Sequence, residues 1–344
     1  VVTLDAQSRR NLEIDRRLNG EEDATLFALF NKTRTPRGAR LLRRWLNAPS
    51  RNRAQILERQ AGVASLIGVE YESLRSQLKA VGDMERVVSR IALGSASPRD
   101  LGRLRGALDA LPGLVNGLPE ADRATARLAA DMPAFEDTRA LLHRALVDTP
   151  PATIRDGGAI RSGYDETLDE LTNLTENSAE WLSALEQSER SRTGIATLKV
   201  GYNRVHGYYI ETTRGADEAR IPAEYVRRQT LKNAERYITP ELKAFEDKAL
   251  TAQSKALSLE KSLYQALLAE LGQSLAPLRS AAAAAAELDV LTTFAERAVS
   301  LDLSAPLMTE EPGIEIRSGW HPVVKALSDD PFVPNDLTFS DKRR

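Results

Sequence analysis

The chain has no cysteine and three histidines in 344 residues, which excludes a disulfide framework, a cysteine nucleophile and the usual structural zinc arrangements. A reducing compartment is compatible with that usage. No apolar run approaches the roughly 18 uninterrupted residues of a membrane span. Nor does the opening VVTLDAQSRRNLEI show a basic start followed by a hydrophobic stretch and a cleavage site, so the expectation is a soluble protein that is not secreted. Neither sign of charge dominates: 47 Lys and Arg face 49 Asp and Glu, a formal net charge of -2. A uniformly basic nucleic-acid binder is excluded, whereas local basic patches are not. Hydrophobic residues make up 42%, enough for real cores in two or three domains.

Two long runs without glycine or proline dominate what is present. From Asp165 to Arg190, Leu168, Leu171, Thr175, Ser178, Leu182 and Leu185 follow alternating spacings of three and four. From Glu241 to Leu271, Leu242, Phe245, Ala249, Ala252, Ala256, Leu259 and Leu263 do the same, with Leu250, Leu257, Tyr264 and Leu271 in an adjacent sevenfold row. Each pattern predicts a helix with one stripe to bury. At about 1.5 Å per residue the second would reach roughly 45 Å, and antiparallel pairing of the two is the economical arrangement. Between them, over 194–239, the pattern shortens to runs rich in Tyr, Thr and Arg. Leu198, Val200 and Tyr202 predict one strand, Tyr208, Tyr209 and Ile210 a second, and Asn203 to Gly207 the turn. A stranded module carried by two long helices suits an exposed contact surface better than a buried catalytic pocket.

The rest reads as a helical body. Thr35-Pro36 and Ser97-Pro98-Arg99-Asp100 offer helix caps with proline in the first turn, followed by Leu41, Leu42, Trp45 and Leu46 and by Leu101, Leu104, Leu108 and Leu111. Residues 146–164 form a loop, Thr239-Pro240 opens the second long helix, and Gly272 and Pro277 break or bend it. The hexa-alanine Ala281–Ala286 reads as a closely packed helix, and Glu287 to Ala298 brings the chain back to a body discontinuous in sequence. After Pro306, Gly313–Arg317 and His321–Val324 predict short strands, the opening of a further domain.

Two basic segments stand out. Residues 31–45 carry Lys32, Arg34, Arg37, Arg40, Arg43 and Arg44 and no acid, beside leucines that make a packed inner face equally natural. Within 192–243, ten Lys or Arg meet six Asp or Glu. There Arg227, Arg228, Lys232, Asn233 and Arg236 offer flexible donors to phosphate oxygens without a base-reading motif, which predicts sequence-independent backbone contact. The same charge would suit an acidic protein. Tyr202, Tyr208 and Tyr209 are expected to build the small module's core rather than to stack on bases. His206 and His321 stand without an Asp or Cys constellation, and no metal signature or acid/base couple emerges.

Taken together, Thr3-Leu4-Asp5-Ala6, Arg9-Arg10-Asn11-Leu12-Glu13, Leu198-Lys199-Val200-Gly201, His206-Gly207-Tyr208-Tyr209, Arg228 through Tyr237, Glu287-Leu288-Asp289-Val290 and Gly319 through Val324 resemble the MutS family of DNA mismatch-repair proteins. The matches span essentially the whole chain in the family's order. The resemblance implies a mainly α fold with a discontinuous helical core and two long lever helices. It places core and first lever in 1–179, a small α+β DNA clamp in 180–239, second lever and return to the core in 240–303, and an incomplete α/β ATPase-domain start in 304–344. It further implies duplex-backbone contact by Lys232, Asn233, Arg228 and Arg236, and adenine packing by Phe332 and Val333. ATP and Mg2+ in the intact protein, a homodimer around double-stranded DNA, a MutL-type repair partner and a cytoplasmic, nucleoid-associated location also follow from it.

Departures from the family pattern matter as much. No mismatch-reading domain precedes Val1, so the family's Phe-x-Glu reader is expected to be absent. The phosphate loop G-x-x-x-x-G-K-[ST] does not occur, Gly319 being the last glycine. Trp320 and Lys325 stand where Arg and Glu are common in the family. The expectation is a catalytically silent part of an ATP-driven protein, needing no cofactor itself. The rival reading is a protein-interaction scaffold, and the third an enzyme.

Overall fold

The computed structural model describes residues 2–69, 71–119, 122–176, 178–203, 207–213, 220–328 and 331–340. The chain divides into two compact units, Val1–His143 with Leu268–Arg344, and Arg144–Leu267. The first is therefore discontinuous in sequence and is interrupted by the second.

In the first unit α1 (Ala6–Asn11), α2 (Leu26–Phe30), α3 (Pro36–Asn47), α4 (Arg53–Leu66), α5 (Tyr71–Val81), α6 (Met84–Ala92), α7 (Pro98–Asn116) and α8 (Arg123–Ala130) precede α9 (Glu136–Ala145). The chain returns to this unit through α13 (Leu275–Ser300), which packs against α2, α3, α4, α5, α6 and α8. Five of the six alanines in Ala281–Ala286 are buried in that packing, because a methyl side chain lets neighbouring helices approach closely. Asp289 on α13 is 1% exposed and fastens the start of α3. Its carboxylate accepts from the Arg34 and Thr35 N–H groups at 2.8 Å and from the Thr35 hydroxyl at 2.7 Å, while Thr35 Oγ1 accepts from Gly38 N–H at 2.9 Å. Burial raises the Asp289 carboxyl above the usual range, against the pull of those hydrogen bonds. Ser97 and Asp100 close a reciprocal capping box on α7, whose Leu101, Leu104, Leu108 and Leu111 are fully buried.

In the second unit α10 (Glu166–Glu176) and α11 (Ser178–Thr193) lead into β1 (Lys199–Asn203), β2 (Gly207–Thr213), β3 (Val226–Thr230) and β4 (Ala234–Ile238), followed by α12 (Pro240–Gly272). Asn177 and the side chains of Thr175 and Ser178 lie outside the described residues, so the predicted stripe is seen in part: Leu168 and Leu185 are buried, Leu171 and Leu182 half-buried. Helix α12 has 33 residues and is about 50 Å long. It buries Leu242, Ala249 and Ala252 but leaves Leu250 41% exposed. Trp181 stacks on Phe245 at 3.8 Å, and Leu168, Asp169 and Thr172 share a hollow with Glu260. Going forward from 168 to 181 thus meets α12 going backward from 260 to 245, an antiparallel pairing. Glu260, 5% exposed, accepts from Gly158, Ala159 and Ile160 N–H at 3.0, 2.6 and 2.9 Å and ties the preceding loop to α12.

Two local expectations need correction. Gly272 does end α12, but Pro277 sits in the first turn of α13, where it lacks no hydrogen bond, so α13 runs unbroken from Leu275. The strand expected at His321–Val324 is instead the start of α14 (Pro322–Leu327), with His321 Nδ1 accepting from Val324 N–H as the cap and Pro322 in the first turn. The other predicted strand is present as β5 (Gly313–Gly319), paired antiparallel with β6 (Asn335–Ser340).

Candidate nucleic-acid interface

The second unit's sheet is antiparallel in the order β1-β2-β4-β3. Its register decides which side chains face in. Val200 pairs with Ile210 and Ile210 with Tyr237, and this row packs with Leu185, Ile195, Leu198, Tyr225 and Leu242 as an apolar cluster. The alternate row, Lys199, Glu211, Arg236 and Gln229, crosses the opposite face. Tyr208 joins the cluster through an edge contact with Phe245. Tyr202 is 50% exposed, and the Tyr209 ring lies over Gly201 on the opposite face. The expectation that all three tyrosines build the core is therefore corrected for two of them. Arg204, Val205 and His206 lie outside the described residues, so neither the predicted turn nor His206 is described.

Strands β3 and β4 are joined by a tight turn in which Leu231 N–H donates to Ala234 carbonyl at 2.8 Å. Lys232 and Asn233 occupy its tip and are exposed. The arginines flanking them are not the flexible donors that the sequence suggested. Arg236 donates from Nε to Glu211 at 2.8 Å and from Nη1 to Gln229 at 3.1 Å, and its guanidinium lies 4.0 Å from the Tyr209 ring centre. Its side chain is 16% exposed. Arg228 falls where the β3–β4 register shifts, between Arg227 and Gln229. At that bulge it donates to the Tyr208 carbonyl on β2 at 2.9 Å and to Glu246 on α12 at 3.1 and 3.3 Å. Arg227, 51% exposed, pairs with Glu235 at 3.2 Å.

Glu246 is the hub of this arrangement and was not singled out from sequence. It is 3% exposed and also accepts from Tyr208 N–H at 2.7 Å and Lys243 Nζ at 3.1 Å. Burial opposes its charge, but Arg228, the Tyr208 amide and Lys243 outweigh it and hold the carboxyl below the usual range. Gly207 makes room for it: at φ +73° an added Cβ would lie 2.1 Å from Glu246 Oε2. On the other side of the module, Glu189 accepts from Tyr225 hydroxyl at 2.6 Å and Arg192 at 2.7 Å. Burial and that carboxylate push the Tyr225 hydroxyl upward. Contacts among α11, α12, β2, β3 and β4 thus tie the sheet together behind the exposed Lys232 and Asn233. The only signals available beforehand were the opposite charges of Glu211 and Arg236 and the glycine at 207.

The basic run 31–45 is partly neutralised. Arg37 pairs with Glu85 at 3.1 Å, Arg40 with Asp83 at 3.0 Å, and Arg43 with Glu22 at 3.4 Å. Phe332 is half-buried and Val333 is 74% exposed. They offer an apolar contact. No cluster of three or more His, Asp or Glu among the described residues could hold a metal, and no helix among them is long and apolar enough to cross a membrane. Comparison with known protein families matches the model of MutS domain III over residues 7–295.

Proposed function

The chain belongs to the MutS family of mismatch-repair proteins, and from that premise we propose that the β3–β4 turn grips the duplex backbone without reading sequence. The observation that carries this reading is the exposed Lys232-Asn233 tip on a hairpin whose neighbouring arginines are spent on holding its shape. A lysine and an amide reach phosphate oxygens, and such contacts position a protein without specifying a base. Helix α12 begins at the sheet and ends in the first unit. Under this proposal it couples the DNA contact mechanically to ATP and Mg2+ in the intact protein, in both directions as linkage requires. Homodimerisation around DNA and a MutL-type partner belong to the same proposal.

Anisotropy of a labelled matched or mismatched duplex across a salt series tests the contact. Lys232→Ala is expected to weaken both duplexes alike and to lower the log-log salt slope by roughly 0.9. An unchanged slope and affinity would reject the tip as a phosphate contact, and binding of a protein partner alone would favour the scaffold reading.

A further inference from the structure

The run 31–45 acquires a different meaning once α1 and the loop after it are placed beside α3. A hollow of about 640 Å³ is lined by arginines from all three, Arg9 and Arg10 from α1 and Arg40 and Arg44 from α3 among them. A second hollow of about 400 Å³ shares Arg40 and Arg44 and is lined also by Arg59 and Trp45, with Glu85 and Glu287 on its wall. Acidic neighbours answer Arg40 and Arg43. Arg9, Arg10 and Arg44 are exposed and make no ion pair among the described residues.

Arg59 adds an independent sign. Its guanidinium lies 3.5 Å from the Trp45 ring centre, and its Nε is buried without a hydrogen-bond partner. Burial chiefly holds it below the usual arginine range, and Arg127 and Arg44 push the same way against Glu287. Arg37 is lowered likewise, by burial and then, against Glu85, by Arg40 and Arg44. Arg40 shifts the other way, raised by Asp83 and Glu85, so the cations left for an anion on this face are the exposed Arg9, Arg10 and Arg44.

We propose that this arginine face of the first unit binds a nucleic-acid phosphodiester backbone. Arg9 and Arg10 on α1 and Arg44 on α3 line the one hollow from two sides, whereas Arg37 and Arg40 are held by Glu85 and Asp83. A group of exposed guanidinium forks of this kind matches an anion repeated along a chain, and phosphate takes the fork in bidentate fashion. A phosphodiester backbone supplies that repeat at every nucleotide whatever its sequence. This contact goes beyond the β3–β4 turn and does not depend on it.

The test uses the full chain with Arg9→Ala, Arg10→Ala and Arg44→Ala together. Duplex anisotropy between 50 and 200 mM salt is expected to show a slope lower by about 2.7, so that the unsubstituted chain loses about 40-fold more affinity over that range than the variant. An unchanged slope overturns the proposal, while Lys232→Ala reports separately on the turn. A second readout needs no variant: duplex should protect Arg9, Arg10 and Arg44 of the unsubstituted chain from phenylglyoxal relative to exposed Arg99. Equal modification with and without duplex overturns the proposal, as does protection by polyglutamate but not by duplex, which would assign the face to an acidic polypeptide.

Discussion

Replacing Glu246 by alanine should loosen the stranded module more than any other single truncation of an acid there. The carboxylate is 3% exposed and joins three elements, accepting from Tyr208 N–H on β2, Arg228 on β3 and Lys243 on its own helix. Truncation leaves the Tyr208 amide without its partner and strands Arg228, whose side chain is 29% exposed. Breaking a fully buried ion pair costs about 3–5 kcal/mol, but Arg228 can recover some hydration, and a hydrogen bond to a charged group contributes about 1.5–3 kcal/mol. The expected loss is about 3 kcal/mol. The chain has two compact units, so a single global melting value is the wrong readout. Native-state hydrogen exchange resolved over 207–213 and 226–238 is the right one, because it reports local opening. Protection in both segments should fall by about 150-fold, the equivalent of 3 kcal/mol, while α3 and α13 are unaffected. A fall of less than about fivefold, or one shared equally by α13, would refute the role given to Glu246. Glu246→Gln, which keeps a neutral acceptor, should lie between the two.

The same carboxylate sets a pH dependence. Its folded-state value is depressed, so its stabilisation is fully present above the unfolded range near 4.3 and is lost as pH falls through the folded value. Exchange protection of β2 and β4, corrected for intrinsic rates, should therefore be level from neutrality down to about pH 4.5 and decline below. Glu260→Ala would leave three N–H groups of residues 158–160 without their acceptor, a loss of about 3 kcal/mol, and should expose Arg155 and Arg161 to trypsin; an unchanged digestion pattern would show that the loop is held otherwise. Gly38→Ala would put a methyl carbon 2.2 Å from Asp289 Oδ2, an oxygen fixed by its own hydrogen bonds. Overpacking of this kind costs about 1–3 kcal/mol, and calorimetry should show a lower transition for the unit containing α3.

What could be read from the sequence was whatever is encoded locally or periodically. Thr35, Ser97 and Thr239 cap the helices that follow them, because a cap is decided within four residues. The long second helix and the buried alanine run follow from side-chain size and spacing. His321-Pro322 misled because two valines resemble a strand, although proline after a potential cap is also a helix start. The ion pairs were hidden for a different reason. Arg228 and Glu246 are 18 residues apart, and their meeting depends on a bulge that shifts the register of β3. Tyr208 and Tyr209 are adjacent yet face opposite ways, so that composition alone could not say which of them packs. The basic run 31–45 showed its charge in the sequence, but the acids that answer part of it come from residues 15–22 and 83–85, brought near only by folding.

The pairing of arginine with glutamate around the β3–β4 turn bears on how strongly it can hold a duplex. Glu211 takes Arg236, Glu235 takes Arg227 and Glu246 takes Arg228. Were all three arginines and Lys232 phosphate contacts, the turn would contribute a salt slope of about 3.6. Under the proposed reading, Lys232 makes the contact by its exposed place at the tip of the turn, and its slope contribution is about 0.9. The difference follows from the fold: an arginine withdrawn from its glutamate to meet phosphate would leave a carboxylate behind, and for Glu246 a buried one. For Glu246, whose side chain is 4% exposed, that cost is larger than an exposed phosphate contact returns, since surface ion pairs contribute about 0–1 kcal/mol. On the proposed reading Arg228 therefore stays with Glu246 and keeps the tip in place, and the turn's own share of duplex binding is a weak contact that tolerates any sequence.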